Sequence, residues 1–237
     1  MRVHLEWGAV GARSLMQTCD LLIVVDVLSF TTAVDVAVGR GAVVFPYWGP
    51  RAPRLAARLQ ALLAVGRSRR SSENPYSLSP RTLLTLRPGD RLVLPSPNGS
   101  AISRAAARSQ RPILAGCLRN ASAVASAAQT VASTIGVVAA GERWPDGSLR
   151  PAFEDLVGAG SIISRLCADA WSPEAGAAVA AFQRASTDLS RQLLACSTGQ
   201  ELVELGFADD VHMAAELDAS QTVPRLEGGA YRGGRSP

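Results

Sequence analysis

The first residues that suggest chemistry are acidic ones placed just after apolar runs. "LLIVVD", residues 21–26, ends on Asp26, and "VLSFTT" follows it with Ser29, Thr31 and Thr32. Later, "TIGVVAAGE" delivers Glu142, and "FEDLVGAG" puts Glu154 and Asp155 at the start of a predicted helix. Carboxylates in a first helical turn also complement the helix dipole. Together with Asp26, Glu154 and Asp155 supply the hard oxygen ligands that Mg²⁺ takes. Two further segments, "SPNGSAIS" and "GCLRNASA", bring Asn98, Gly99 and Ser100, then Arg119 and Asn120. The segments after Asp26, at Asn98–Ser100 and at Arg119–Asn120 stand where a helix is predicted to begin, and Ser, Thr and Asn there serve as ordinary caps. A helix start also carries free N–H groups and a positive dipole end, which suit an anion. Gly99 lets the backbone approach a phosphate closely, and Arg119 offers a bidentate contact.

The composition narrows the remaining chemistry. The 237-residue chain has 24 basic residues, all arginine, and two histidines, His4 and His212. Without lysine there is no P-loop lysine and no Schiff base. Two histidines near opposite ends exclude a multi-histidine metal site within one chain. The four cysteines show no C-x-x-C spacing, so neither a zinc site nor a disulfide framework is expected. None has arginine six residues later, and Asp26 is followed at the second position by Leu28 rather than aspartate. Cysteine-type and D-x-D phosphatases are thereby set aside. A net charge of +4 with scattered arginines and only 5% aromatic residues does not describe a nucleic-acid platform. No apolar run reaches the ~20 residues of a membrane span. "MRVHLEWGAVGARS" lacks a signal-peptide core, so a cytoplasmic location is expected.

The elements that must position these residues alternate along the chain. Strands are predicted at 3–7, 22–26, 42–47, 91–94, 113–116 and 134–139. Helices are predicted near 31–39, 51–65, 100–108, 121–132, 153–169, 174–195 and 198–205. Such alternation predicts an α/β fold, with a mostly parallel or mixed sheet between two helical layers. Parallel strands are covered on both faces, which accounts for the unbroken "LLIVV". Ligands then gather outside the carboxyl ends of the strands, where Asp26, Asn98, Arg119 and Glu142 fall. Residues 1–227 read as one domain, 66–80 as a polar loop of functional length, and 228–237 as a disordered tail. A homodimer is the default oligomer.

Six segments in order, "VVDVLSFTTAV", "SPNGSA", "GCLRNASAVA", "AAGE", "FEDLVGAG" and "STGQELVELGFADDV", resemble the 2-phosphosulfolactate phosphatases. That family acts in coenzyme M synthesis. The resemblance spans most of the chain and implies a three-layer α/β/α fold and Mg²⁺-dependent hydrolysis of a small anionic phosphomonoester. It maps Asp26 onto the family's "DVLRATT"-like motif, Asn98 and Gly99 onto its "NG" turn, Arg119 and Asn120 onto "LRNA", and Glu154 and Asp155 onto its acidic helix start. Ser29 departs from the family's usual arginine in "DVLR", and "SLSP" at 77–80 departs from "GNSP". On this reading Asp26, Glu142 and Arg119 are catalytic, with Asp26 a ligand, base or nucleophile. Ser29, Thr31, Thr32, Asn98, Gly99, Ser100 and Asn120 bind the substrate, and Asp26, Glu154 and Asp155 hold Mg²⁺. The competing reading is a non-catalytic binder of a phosphorylated or sulfonated small molecule.

Overall fold

A computed structural model describes residues 1–234. Its ten-stranded sheet is built around β2 (Leu21–Val25), every residue of which is buried. Parallel neighbours of β2 are β7 (Thr134–Ala139) and β6 (Ile113–Gly116). β1 (Arg2–Trp7) and β10 (Ala170–Trp171) extend the sheet beyond β7. β3 (Val43–Tyr47), β5 (Arg91–Pro95) and β4 (Leu62–Leu63) form a second parallel block. The two blocks are joined by an antiparallel hairpin of β11 (Val223–Glu227) and β12 (Ala230–Gly234). The fold is therefore the α/β/α arrangement with a mixed sheet.

The alternation of β2 side chains makes the layers. Leu22 and Val24 pack with Ala12 and Leu15 of α1 (Gly8–Thr18) and with Ile102 of α4 (Gly99–Ala106). Leu21, Ile23 and Val25 face α5 (Ala121–Gln129), α6 (Phe153–Ile163) and α7 (Pro173–Ala185) on the other side. Each such aliphatic side chain contributes about 1.5–3 kcal/mol on full burial. α2 (Phe30–Gly39) packs over the second block through Phe30, Val34 and Ala37. The small residues of α6 are required by close approach: a Cβ on Gly160 would lie 1.9 Å from the Ala178 carbonyl oxygen of α7.

Most predicted strands begin and end within a residue or two of the observed ones. Several elements depart from expectation. Residues 8–18 form a helix that the sequence pattern did not single out. The predicted helix 51–65 stops at Gln60, which adopts φ +50°, so that α3 (Ala52–Leu59) gives way to edge strand β4. Residues 174–195 divide into α7 and α8 (Leu189–Ala195), with Asp188 capping the second helix through Arg191 N–H. α9 (Ser197–Glu204) is followed by a further helix, α10 (Ala208–Ala214). The largest correction concerns the predicted disordered tail. Gly228 and Gly229, at φ +57° and +81°, make the tight turn of the β11–β12 hairpin, and Tyr231 of β12 is fully buried. Its hydroxyl pairs with Ser103 at 2.7 Å, and its ring meets Phe30 edge-on. A Gly-Gly pair between strands is a hairpin signal, and glycine-rich composition masked it. Residues 235–237 lie outside the described residues.

Candidate active site

The turn between β2 and α2 is built by its own threonines. Thr31 N–H and Oγ1 both donate to the Asp26 carbonyl, at 2.8 Å each, and Oγ1 accepts from Asp26 N–H at 3.0 Å. Thr32 Oγ1 donates to the Val27 carbonyl at 2.8 Å. Both side chains are fully buried, so they brace the turn and do not offer hydroxyls to a ligand. What the brace fixes is the Asp26 carboxylate. Its Oδ1 accepts from Phe30 N–H at 3.2 Å, and its Oδ2 accepts from Gly99 N–H at 2.7 Å. Helix starts from both parallel blocks thus converge on one carboxylate. Five steps separate β2 from β5 in the sheet order, and a twist of about 20–25° at each turns the second block by on the order of 100°. That rotation lets strand ends from two formally opposed blocks meet. Gly99 must be glycine here, because a Cβ would stand 2.7 Å from Asp26 Oδ2 and 2.2 Å from the Phe30 ring.

Three more carboxylates surround Asp26. Asp155 is buried, with Oδ1 accepting from Val27 N–H at 2.7 Å and Oδ2 from Gly141 N–H at 2.8 Å. Glu154 is buried beside it and accepts from the Cys196 thiol at 3.3 Å. Glu142, in β8 (Glu142–Arg143), accepts from Asn98 Nδ2 at 2.8 Å and is only partly buried. A cavity of about 230 Å³ opens beside Glu142 and Asn98, walled by Trp7, Val10 and Leu149. β8 forms a short flap with β9 (Leu149–Arg150), whose Arg150 lies opposite Glu142 but bonds Glu201 at 2.9 Å.

Among the described residues, no arginine hydrogen-bonds any of these four carboxylates. Burial and mutual repulsion therefore act together. Asp26 is pushed up to about 6, mainly by burial and further by Glu154, against the pull of the Phe30 and Gly99 amides. Glu142 is pushed up to about 7 by burial, then by Asp26 and Glu154. Asp155 is also raised, by burial and then by Asp26 and Glu154. The Cys196 thiol is pushed up to about 12 by burial and by Glu154, which makes it a hydrogen-bond donor and not a nucleophile.

The predicted site residues thus divide. Asp26, Glu142, Glu154, Asp155, Asn98 and Gly99 come together. Arg119 and Asn120 are used elsewhere. Arg119 Nε pairs with buried Asp35 at 3.1 Å while Nη1 pairs with Glu216, and the Ser220 hydroxyl completes Asp35 at 2.6 Å. Asn120 is fully buried and ties Cys117 N–H to the carbonyls of Ala115 and Thr222. Ser100 is likewise buried and donates to the Leu94 carbonyl at 2.8 Å. In this structure all three are engaged by protein partners, Arg119 by two carboxylates and Asn120 and Ser100 by the backbone, as buried polar atoms require. Ser29 does lie on the Asp26 turn, where its hydroxyl accepts from Arg67. Arg67, Ser96 and Cys196 went unnoticed in sequence. Ser96 stands close enough to steady the Asp26 carboxylate, and its place one residue after β5 was the available signal.

The donor chemistry of the cluster fits a divalent cation: hard oxygens, buried, in excess of any positive charge. Among the described residues no three Asp, Glu, Cys or His side chains form a ready-made cage. Mg²⁺ does not need one, since it keeps several waters and takes one or two carboxylates plus substrate phosphate oxygens. In both Asp26 and Asp155 each oxygen accepts one backbone N–H, whereas among the described residues Glu154 accepts only from the Cys196 thiol and Glu142 only from Asn98.

The profile of the 2-phosphosulpholactate phosphatase family matches residues 11–229. The chain belongs to that family. A relative from Methanothermobacter thermautotrophicus, named 2-phosphosulfolactate phosphatase, is 30% identical over 215 residues, 91% of this chain and 88% of its own. Others, from Thermus thermophilus and Carboxydothermus hydrogenoformans, are named probable 2-phosphosulfolactate phosphatases. Each is 31% identical, over 216 and 209 residues, covering 88% and 86% of this chain and 89% and 84% of their own. The family is one of phosphoric monoester hydrolases, and the strand-end carboxylates are the part of this member suited to that chemistry. No helix among the described residues is long and apolar enough to cross a membrane.

Proposed function

We propose that the chain is a Mg²⁺-dependent phosphatase that converts 2-phosphosulfolactate to sulfolactate and phosphate. The carrying observation is the four-carboxylate cluster around Asp26, which lacks any paired cation. A phosphate ester would be repelled by such a cluster, and a divalent ion held there would offset that repulsion. Asp26, Glu154 and Asp155 would hold the ion, which would supply charge neutralisation for the phosphoryl oxygens. Asp155 keeps the Val27 and Gly141 amides in place and so fixes the ends of β2 and β7. Glu142 is the group suited to moving a proton. It is partly exposed, it titrates at about 7, and Asn98 fixes one of its oxygens.

What supports an enzyme over a silent binder is Glu142, a partly exposed carboxyl at about 7 on the cavity wall, a proton-transfer group that binding alone does not need. The test is phosphate release from a panel of phosphomonoesters, with Mg²⁺ and with EDTA, for the wild type and for Asp26→Ala. Turnover that requires Mg²⁺ and disappears in the folded variant is expected. Metal-independent turnover, or wild-type rates in Asp26→Ala, would sink the proposal.

A further inference from the structure

Arg67 is held where the proposed reaction needs a positive charge. It opens a short 3₁₀ turn, Arg67–Arg69, in the polar loop after β4. Its Nε donates to Asp210 Oδ2 at 3.3 Å, and that carboxylate is only 2% exposed while the arginine side chain keeps 18%. Ser79 Oγ donates to the other oxygen of Asp210 at 2.6 Å, which fixes the anchor. Phe207 lies under the guanidinium, 5.3 Å from ring centre to Cζ. On its outer edge, Nη2 donates to Ser29 Oγ. Ser29 immediately precedes Phe30, whose amide holds Asp26, so this charge sits on the catalytic turn itself.

An arginine anchored through Nε presents Nη1 and Nη2 as a flat fork, the geometry that takes a carboxylate, sulfonate or phosphate by two parallel hydrogen bonds. Among the described residues Nη1 has no hydrogen-bond partner, and Nη2 has only a neutral hydroxyl. Ser29 can yield that bond to an anion and donate its own proton to the same ligand. The other arginines around the site are committed: Arg119 to Asp35 and Glu216, Arg150 to Glu201, and Arg143 to the carbonyls of Gly147 and Pro97. The substrate's tail carries two anionic groups besides the phosphate, and a bound metal would answer only the phosphate.

We infer that Arg67, with Ser29, is the subsite that receives the anionic tail of the substrate, its sulfonate or carboxylate, and so sets the preference for acidic phosphomonoesters. The inference rests on the phosphatase reading. Its test uses the full-length protein and the ratio of kcat/KM for 2-phosphosulfolactate to that for glycerol 2-phosphate, whose tail is uncharged. Arg67→Lys keeps a cation beside Asp210 but loses the fork. The ratio should fall about 10- to 100-fold, mostly through KM, as expected for losing charge-assisted hydrogen bonds. Arg81→Ala, which breaks only the exposed pair with Asp209, should leave the ratio within about twofold of wild type on the scale of a surface ion pair. An unchanged ratio in Arg67→Lys, or an equal loss on both esters, overturns the inference. If Arg67→Lys does not fold, Ser29→Ala, which spares the Arg67–Asp210 pair, takes its place, with a fall of about 3- to 10-fold expected. If the wild type hydrolyses neither ester, the phosphatase reading fails separately. Calorimetry with sulfolactate then reads the subsite directly. A dissociation constant weakened at least about tenfold in Arg67→Lys supports it; equal binding, or none by the wild type, overturns it.

Discussion

Replacing Glu142 by glutamine should stabilise the protein at alkaline pH and leave it unchanged in mild acid. Glu142 titrates at about 7 in the fold against an ordinary 4.5, because burial and the charges of Asp26 and Glu154 oppose its ionisation. A raised carboxyl pKa means that the folded state binds the proton more tightly than the unfolded chain. Between roughly pH 4.5 and 7 the unfolded state carries fewer protons, so stability falls as pH rises through that window. At about 1.4 kcal/mol per pKa unit, the loss would be about 3.5 kcal/mol, and the exposed part of the side chain reduces it to about 2–3 kcal/mol. The substituted amide can still accept from Asn98 but has no charge to bury. The advantage of Glu142→Gln over wild type should therefore grow from near zero at pH 4.5 to about 2–3 kcal/mol at pH 8. For a chain of this size that is roughly 5–10 °C in melting temperature. Thermal or urea unfolding in EDTA at several pH values measures it. Adding Mg²⁺ at pH 8 should narrow the gap, because a cation among the carboxylates removes the repulsion acting on Glu142. A stability difference that stays flat with pH, or favours wild type at pH 8, would refute the claim that this carboxylate is buried against like charges.

Two other substitutions separate site from scaffold. Gly99→Ala pushes a Cβ to 2.2 Å from the Phe30 ring and 2.7 Å from Asp26 Oδ2. It should cost about 1–3 kcal/mol in unfolding free energy and at least about a hundredfold in kcat/KM through displacement of Asp26; an active, stable variant would contradict the packing. Arg119→Met leaves Asp35 buried without its cation and should cost about 3–5 kcal/mol in denaturation. KM at a temperature where the variant is folded should not change; a large rise in KM would restore Arg119 as a substrate contact.

The residue pattern was enough to specify the layered α/β fold, the positions of its main strands along the chain and Asp26, Glu142, Glu154 and Asp155 as candidate carboxylates, which the fold gathers in one place. These follow from local signals: an apolar run long enough for a buried strand, a small polar residue at a helix start, an acidic pair in a first turn. Each depends on neighbours within about one helical turn, so it can be read from the chain alone. Partners could not be. Arg119 looks available until Asp35, 84 residues away in sequence, is placed against it. Asp155 reads as a bare carboxylate until the amides of Val27 and Gly141 each take one of its oxygens. Ser29 looks like a lone hydroxyl until a loop 38 residues on lays Arg67 over it. The order of strands across the sheet and the twist between its two blocks decide these meetings. Hydrogen-bond capacity is a property of a residue, whereas the atom that satisfies it is a property of the packed chain.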